Sequence, residues 1–277
     1  DHDPQKLPIV LINNIVKTLP QILKKNGYKT YGIISTAQLP AEVGFARGFD
    51  SYDWHTQDFF IEAREKMLAL LPKINSQKFF IFFHDIEPHD PYVPPLPYDT
   101  LYPTSPFGKS LVENFDRNGI DRIDIRSENI KYREQIKYRD FWDKVDGENP
   151  THMLDLKSLY DAEIKHLDDF IGELERVLKE RSLLQNTIIV FTADHGEEFY
   201  EHGSFTHSQL YNEVLHVPLI IASPKIDKSI EVNQTVRTID IMPTVLDMLG
   251  ISAPQPTRGV TLLPYILDPS RKEDLSV

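Results

Sequence analysis

The sequence has 277 residues, an apolar share of 40% and a formal net charge of −12 at pH 7. This length and composition are typical of one large α/β domain or two modest ones with a sizeable core. The acidic balance argues against a general nucleic-acid-binding protein, because it would repel phosphates. No apolar run approaches the roughly 20 residues of a membrane span. The 277 residues contain no cysteine, which excludes disulfides, thiolate metal ligands and a cysteine nucleophile within them.

Helix and strand patterns alternate in the first part of the chain. Residues 18–28 predict an amphipathic helix that stops at Gly27, and the apolar run KTYGIIST follows at once as a strand. Residues 59–71 predict a second helix, and KFFIFFH at 78–84 predicts a second strand. This order indicates a layered α/β fold.

The middle of the chain departs from this alternation. Residues 87–106 are rich in proline and predict a loop leaving the end of a strand, because proline cannot continue a helix or a central strand. Residues 99–150 are largely polar and charged in their second part. We interpret 99–150 as an insertion or lid within a single partial domain that covers 1–277.

The second half returns to regular elements. Residues 153–180 carry apolar side chains every three or four positions and predict a long helix. Residues 187–192 predict a strand buried on both faces because its apolar run is unbroken. HVPLIIASP at 216–224 predicts another strand, and VRTIDIMPTVLDMLGI predicts a strand end that leads into a helix with Pro243 in its first turn.

Two loops at strand ends carry the residues most suited to chemistry. Ligands of α/β sheets bind beyond the carboxyl ends of the strands, where such loops converge. The loop after KFFIFFH contains His84, Asp85, Glu87, His89 and Asp90. The loop after NTIIVFT contains Asp194, His195, Glu197, Glu198, His202 and His207.

Asp194 and His195 follow the strand directly, and Gly196 permits the sharp bend that would turn both side chains toward one ion. An isolated Asp-His-Gly triplet is also typical of an aspartate that caps a turn beside a surface histidine. Taken alone, the triplet leaves both interpretations open.

Several ordered motifs resolve this choice through a resemblance. FTADHGEEFYEHGSFTH, TLPQILKKNGYKTYGI, GFARGFDSYD, PHDPYVPP, LYDAEIKHLDDFIGEL, IDIMPTVLDMLGI and RGVTLLP together resemble the sulfatase branch of the alkaline phosphatase superfamily, which includes arylsulfatases and phosphonate monoester hydrolases. The resemblance implies an alkaline-phosphatase-like layered α/β/α fold with a central, mostly parallel sheet. It also implies a hydrolase of small-molecule or glycan sulfate esters.

The resemblance assigns roles to four residues. Asp194 and His195 match the pair that binds a single divalent ion, usually Ca²⁺, with Mn²⁺, Mg²⁺ or Zn²⁺ in some relatives. His207 and His89 match residues on either side of the leaving-group oxygen. An imidazolium in those places would offset or protonate the departing oxygen, and the metal would polarise the ester.

The resemblance also implies parts that these 277 residues do not contain. The family's nucleophile is a formylglycine made from the Cys or Ser of a C/S-x-P-x-R segment, and neither that segment nor the preceding pair of aspartates occurs. We therefore expect the chain to be the middle and later portion of a larger enzyme. It would lack the first strand and most of the small C-terminal antiparallel subdomain, and it would be inactive without the nucleophile segment.

Three alternatives to a one-metal sulfatase remain open. Asp85 and His89 have the D-x-x-x-H spacing of two-metal phosphodiesterases, and a phosphonate monoester hydrolase would share the same motifs. A family member without the nucleophile could instead bind sulfated or phosphorylated ligands without cleaving them. Of the other loop residues, we expect structural roles for His84 and His202, and a charged turn leading away from the metal at Glu197 and Glu198.

Overall fold

The computed structural model of the chain describes residues 12–13, 15–54, 61–75, 77–113, 139–254, 257–272 and 275. The α-helices of this part are α1 (Leu19–Lys25), α2 (Ile61–Leu70), α3 (Pro106–Glu113), α4 (Pro150–Glu180), α5 (Asn212–Leu215), α6 (Ile241–Met248) and α7 (Leu263–Leu267). The strands are β1 (Lys29–Ile34), β2 (Ser51–Trp54), β3 (Phe79–His84), β4 (Ile189–Thr192), β5 (Glu198–Phe199), β6 (Phe205–Thr206) and β7 (Leu219–Ala222). None of the helices in the described ranges combines the length and the apolar character needed to cross a bilayer.

Strand β1 lies at the centre of a parallel sheet of order β2-β1-β3. Helix α1 leads into it and ends where Gly27 adopts a φ of 82°, as predicted from the glycine stop. Ile34 pairs with Trp54 on one side and with His84 on the other. The carboxyl ends of all three strands therefore meet at one edge, which is where the loop after His84 begins.

Helix α4 joins two hydrophobic clusters, and it confirms the predicted long helix. Its N-terminus is capped by Asn149, whose side chain accepts a hydrogen bond from the Thr151 amide at 3.0 Å. One cluster packs α2 and α4 against the parallel sheet through Ile33, Ala63, Met67, Leu71, Ile74, Phe170 and Leu178. The other joins the middle of the chain to α4 through Tyr92, Leu111, Val112, Phe141, Leu156 and Leu159. A single rigid helix thus supports both the sheet and the loop that follows β3.

Strand β4 differs from the prediction in its burial. It pairs antiparallel with β7, and three of its four residues are partly exposed while Thr192 is exposed. Within the described ranges, β7 is its only paired neighbour. The prediction of a strand buried on both faces was wrong. An apolar run shows that a strand can pack against other elements, but it does not show how many elements cover the strand.

The segment before α6 also differs from the prediction. No strand precedes this helix in residues 231–240, and a 3₁₀ turn at Thr238–Asp240 leads into it instead. The buried Asp240 carboxylate accepts hydrogen bonds from the backbone amides of Arg237 and Val260, at 3.1 and 2.9 Å. These bonds close a turn where the apolar, β-branched sequence indicated an extended strand.

The interpretation of 99–150 as an insertion or lid stays a prediction, and 114–138 lie outside the described residues. The described ends of the segment are packed. Helix α3 lies against α4, where Asp155 accepts hydrogen bonds from the amides of Ser105 and Gly108, at 2.8 and 3.0 Å. The segment therefore starts and finishes on the second core cluster.

Candidate active site

Three histidines from the two predicted loops lie together. The ring centroids of His195 and His207 are 4.0 Å apart, with the rings stacked, and those of His89 and His207 are 5.7 Å apart. His89 is carried by the loop after β3, and the other two follow β4. The structure thus gathers residues that are more than 100 positions apart in the sequence around one point.

The turn after β4 holds Asp194 and His195 in place through Gly196. The Gly196 amide donates a hydrogen bond to the Val214 carbonyl at 2.7 Å, and a Cβ at this glycine would lie 2.0 Å from the Glu213 carbonyl oxygen. Gly196 is not among the glycines with positive φ. Glycine is needed here because another backbone segment approaches closely, whereas the sequence suggested a need for conformational freedom.

All three histidines are anchored through the same ring nitrogen. Nδ1 of His195 lies 2.9 Å from the Gly196 carbonyl oxygen, and Nδ1 of His89 lies 2.7 Å from the Asp90 carbonyl oxygen. Nδ1 of His207 lies 3.4 Å from Oε1 of Glu197. Donation of Nδ1–H to these oxygens leaves each Nε2 as the atom that faces a ligand, which is the arrangement typical of metal-binding and catalytic histidines.

Asp194 and His195 form a pair of donors suited to one cation. Oδ1 of Asp194 lies 3.7 Å from Nε2 of His195, and the Asp194 side chain is 73% exposed. Two ligands of one divalent ion, each about 2.0–2.4 Å from it, can be separated by this distance. The donor set of one carboxylate and one imidazole therefore fits an ion at the mouth of the site.

Glu197 and Glu198 do not form the outward-facing turn that we expected. Glu198 begins β5 and is fully buried, and its Oε1 accepts a hydrogen bond from the His202 amide at 3.0 Å. The Glu197 side chain is only 5% exposed and points to the histidines. Potential ligand atoms of Asp90, Glu197 and His207 all lie within 4.8 Å of one another. The prediction was wrong because these glutamates alternate like strand residues, one facing the core and the other the site.

Burial sets the charge state of the site. It raises the pKa of Glu197 to about 7, and this outweighs the lowering by the neighbouring Tyr92 hydroxyl and by the histidines. It lowers the pKa of His207, and the charges of His195 and His89 lower it further. It also lowers the pKa of His84, with partial compensation from Asp194. In the absence of a ligand, the site thus disfavours accumulation of charge of either sign.

Asp85 belongs to a different network. Its Oδ2 lies 2.6 Å from Nε of Arg64, and its Oδ1 accepts a hydrogen bond from the Glu87 amide at 3.1 Å. Arg64 also donates to Glu87 at 2.7 Å, and His166 lies 2.9 Å from the same Glu87 oxygen. With both oxygens engaged, Asp85 is not an open ligand for a second ion beside His89.

His202 lies apart from the three stacked histidines and has partners of its own. Its Nε2 lies 3.2 Å from Oε2 of Glu213, and its ring stacks on Tyr211 at 3.6 Å between centroids. These contacts are in line with the structural role that we expected for it.

Asp90 and Glu197 were expected in the two loops but without a role in the site, and Tyr92 was not expected there. Asp90 is 5% exposed, Tyr92 is fully buried, and the Tyr92 hydroxyl has no hydrogen-bond partner among the described residues. Burial raises the pKa of Tyr92, and the charge of Glu197 adds to the effect. The available signal was the period of two in Glu197, Glu198 and Phe199, which places the first and third residues on one side.

The chain is similar in sequence to known proteins of one family. The model of the sulfatase family matches residues 3–251. Arylsulfatase K of Rattus norvegicus is 29% identical over 215 residues, which are 76% of this chain and 37% of the rat protein. Arylsulfatase K of Bos taurus is 39% identical over 109 residues, which are 39% of this chain and 20% of the bovine protein. The matched region thus spans well under half the length of these relatives.

Solved structures show the same fold. A phosphonate monoester hydrolase from Silicibacter pomeroyi superposes with a TM-score of 0.71 at 21% identity, over 95% of this chain and 63% of that one. A protein solved in complex with its substrate D-glucosamine-2-N,6-O-disulfate superposes with a TM-score of 0.62 at 22% identity, over 93% of this chain and 66% of that one. These matches confirm the layered α/β fold expected from the resemblance. Together with the family match over most of its length, they establish that the chain belongs to the sulfatase family.

Proposed function

We propose that the chain contributes the metal-binding and leaving-group side of a site that hydrolyses sulfate esters. The observation that carries the proposal is the proximity of His89, Asp194, His195 and His207 in a member of the sulfatase family. The substrate class is a small-molecule or glycan sulfate ester.

In this proposal Asp194 and His195 hold one divalent ion. The family resemblance favours Ca²⁺, and the imidazole ligand also suits Mn²⁺ or Zn²⁺. When bound, the ion supplies positive charge that polarises the nonbridging oxygens of the ester. The Asp194 side chain is exposed. Nδ1 of His195 is bound to the Gly196 carbonyl, which leaves Nε2 of the same ring beside Asp194. The pair is therefore open to an ion arriving from solvent.

His89 and His207 act on the leaving group. Cleavage of the S–O bond leaves an electron pair on the departing oxygen, and a proton from an imidazolium Nε2 neutralises it. The lowered pKa of His207 favours the neutral form of its ring, and a bound sulfate ester, being an anion, favours protonation of the same ring. The 5.7 Å between the two ring centroids leaves the leaving-group oxygen room to lie between them.

The test uses a protein that carries these 277 residues together with the family's nucleophile segment, because we expect the 277 residues alone to be inactive. It measures release of sulfate from an aryl sulfate and of alcohol from an aryl phosphonate monoester, with Ca²⁺ and with Mn²⁺. We expect turnover of the sulfate to exceed that of the phosphonate, and Asp194→Ala to abolish it. Glu213→Gln is the matched control, because it removes a carboxylate that pairs with His202 outside the three-histidine group. Preference for the phosphonate, or binding of the aryl sulfate without cleavage, would replace the proposal with one of the alternatives.

A further inference from the structure

The side chain of Glu197 has a geometry that the proposed metal and leaving-group roles do not use. It is 5% exposed, and its Oε1 lies 3.4 Å from Nδ1 of His207. The neighbouring Glu198 faces the core on the opposite side of the short strand β5. Glu197 is thus a nearly buried carboxylate directed at a histidine of the site.

The position of His207 depends on few contacts. One face of its ring stacks on His195, whose own Nδ1 is anchored on the Gly196 carbonyl. The ring also lies 5.7 Å from that of His89, and its hydrogen bond among the described residues is with the Glu197 carboxylate. His89 and His195 have shorter contacts to backbone carbonyls, so His207 is the one of the three whose Nδ1 hydrogen bond goes to a side chain.

We propose that Glu197 is a positioning residue for His207, and that the two form a carboxylate–imidazole pair within the site. This inference rests on the proposed function, because sulfate-ester cleavage is the reaction in which the pair would protonate the leaving group. Glu197 accepts Nδ1–H and fixes the ring so that Nε2 points to the leaving-group oxygen. As the family's nucleophile bonds to sulfur, the bond from sulfur to the leaving-group oxygen breaks, the electron pair stays on that oxygen and the Nε2 proton moves to it. Glu197 keeps its hydrogen bond to Nδ1–H throughout, and no proton passes through the carboxylate.

The same atoms could in principle hold a cation, because Asp90, Glu197 and His207 lie within 4.8 Å of one another. The partners of Asp90 argue against this. Its Oδ2 accepts a hydrogen bond from Trp142 Nε1 at 3.0 Å, and its Oδ1 lies 3.4 Å from Nδ1 of His89. The bond from Trp142 engages one Asp90 oxygen, which favours Glu197 and His207 as a pair over a three-ligand metal site.

The test compares Glu197→Gln, His207→Ala and the double variant in the protein that also carries the nucleophile segment. The substrates are two aryl sulfates, one with a good leaving group (4-nitrophenyl) and one with a poor one (phenyl). Gln keeps the size and an acceptor oxygen but loses the charge that holds the imidazolium. We expect Glu197→Gln to lower kcat on phenyl sulfate about 10- to 100-fold with KM within about twofold, and to lower it much less on the nitrophenyl ester. The kcat of the double variant should equal that of His207→Ala, because the effects of two residues that act as a unit are not additive.

Glu213→Gln alters another carboxylate–histidine pair, with His202, and should leave both substrates unaffected. Three results would overturn the proposed Glu197–His207 pair. The first is additive losses of activity in the double variant, and the second is an equal loss of activity on both substrates. The third is a second bound ion that is present in the wild type and absent in Glu197→Gln. Long-range ¹⁵N–¹H correlation of His207 adds a readout without turnover: protonated Nδ1 in the wild type and a mixed tautomer in Glu197→Gln support the pair, and identical spectra refute it. If no sulfate ester is cleaved, the proposed function fails while this spectrum still decides the pair.

Discussion

Arg64 gives the sharpest prediction on stability. It lies on α2, and its guanidinium donates to Asp85 at 2.6 Å and to Glu87 at 2.7 Å. The side chains of all three are no more than 7% exposed. Burial lowers the pKa of Arg64, but the two carboxylates outweigh this and raise it. For Asp85 the balance is reversed, because desolvation raises its pKa more than Arg64 lowers it.

Replacement of Arg64 by Ala would leave two buried carboxylates without their cation. Keeping one ordinary aspartic acid protonated at pH 7 costs roughly 4 kcal/mol, since its usual pKa lies about 3 units lower and each unit is about 1.4 kcal/mol. Losses on breaking a buried pair are about 3–5 kcal/mol, which agrees with this figure. We therefore expect Arg64→Ala to lower the free energy of unfolding by about 3–5 kcal/mol, and Arg64→Lys by less, because lysine keeps the charge without the two-pronged geometry.

The assay is urea unfolding followed by circular dichroism and tryptophan fluorescence at pH 7. Arg176→Ala is the control, because Arg176 pairs with Glu173 and Glu180 on the surface of α4 and is 58% exposed. Its loss should not change the midpoint measurably. A loss below about 1 kcal/mol for Arg64→Ala, or the same loss for both variants, would refute the argument that this network is buried and mutually dependent. If Arg64→Ala does not fold, Arg64→Lys still tests the order of the effects.

Further predictions concern a buried acid and two glycines. Burial holds the pKa of Glu163 well above its usual value, so the folded state binds a proton that the unfolded state loses; stability should fall as the pH rises above about 4.5. Glu163→Gln should flatten this fall between pH 5 and pH 8 in urea titrations, and an unchanged slope would contradict it. Gly196→Ala should weaken metal binding measured by calorimetry, because its Cβ would lie 2.0 Å from the Glu213 carbonyl oxygen. Gly172→Ala, on α4 with no neighbouring atom within 4 Å, should instead raise stability by about 0.5–1 kcal/mol and leave metal binding intact.

The sequence predicted those features that depend on local patterns. The helices 18–28 and 153–180 and the strands at β1, β3, β4 and β7 follow from periodicity and stop signals, and the observed elements lie within or close to these ranges. The histidines gathered because both loops leave carboxyl ends of strands, which is a property of the α/β layout. Their chemical roles stay a prediction.

Features that depend on distant partners were not predictable in this way. Arg64 meets Asp85 across 21 positions and Glu163 meets Val93 across 70, and no local pattern marks either contact. The inward direction of Glu197 depends on the start of the short strand β5, where the alternation covers too few residues to distinguish a strand from a turn. The partial exposure of β4 depends on which strands pair with it. The apolar residues of β4 do not specify those neighbouring strands.

We expect Asp194 and His195 to bind one divalent ion beside the rings of His89 and His207. The most direct measurement is anomalous scattering from crystals of the protein grown with Mn²⁺, which locates the ion independently of activity. We predict one peak within about 2.5 Å of Asp194 Oδ and His195 Nε2. A peak among Asp90, Glu197 and His207 instead, or none beside Asp194 at saturating Mn²⁺, would contradict the account.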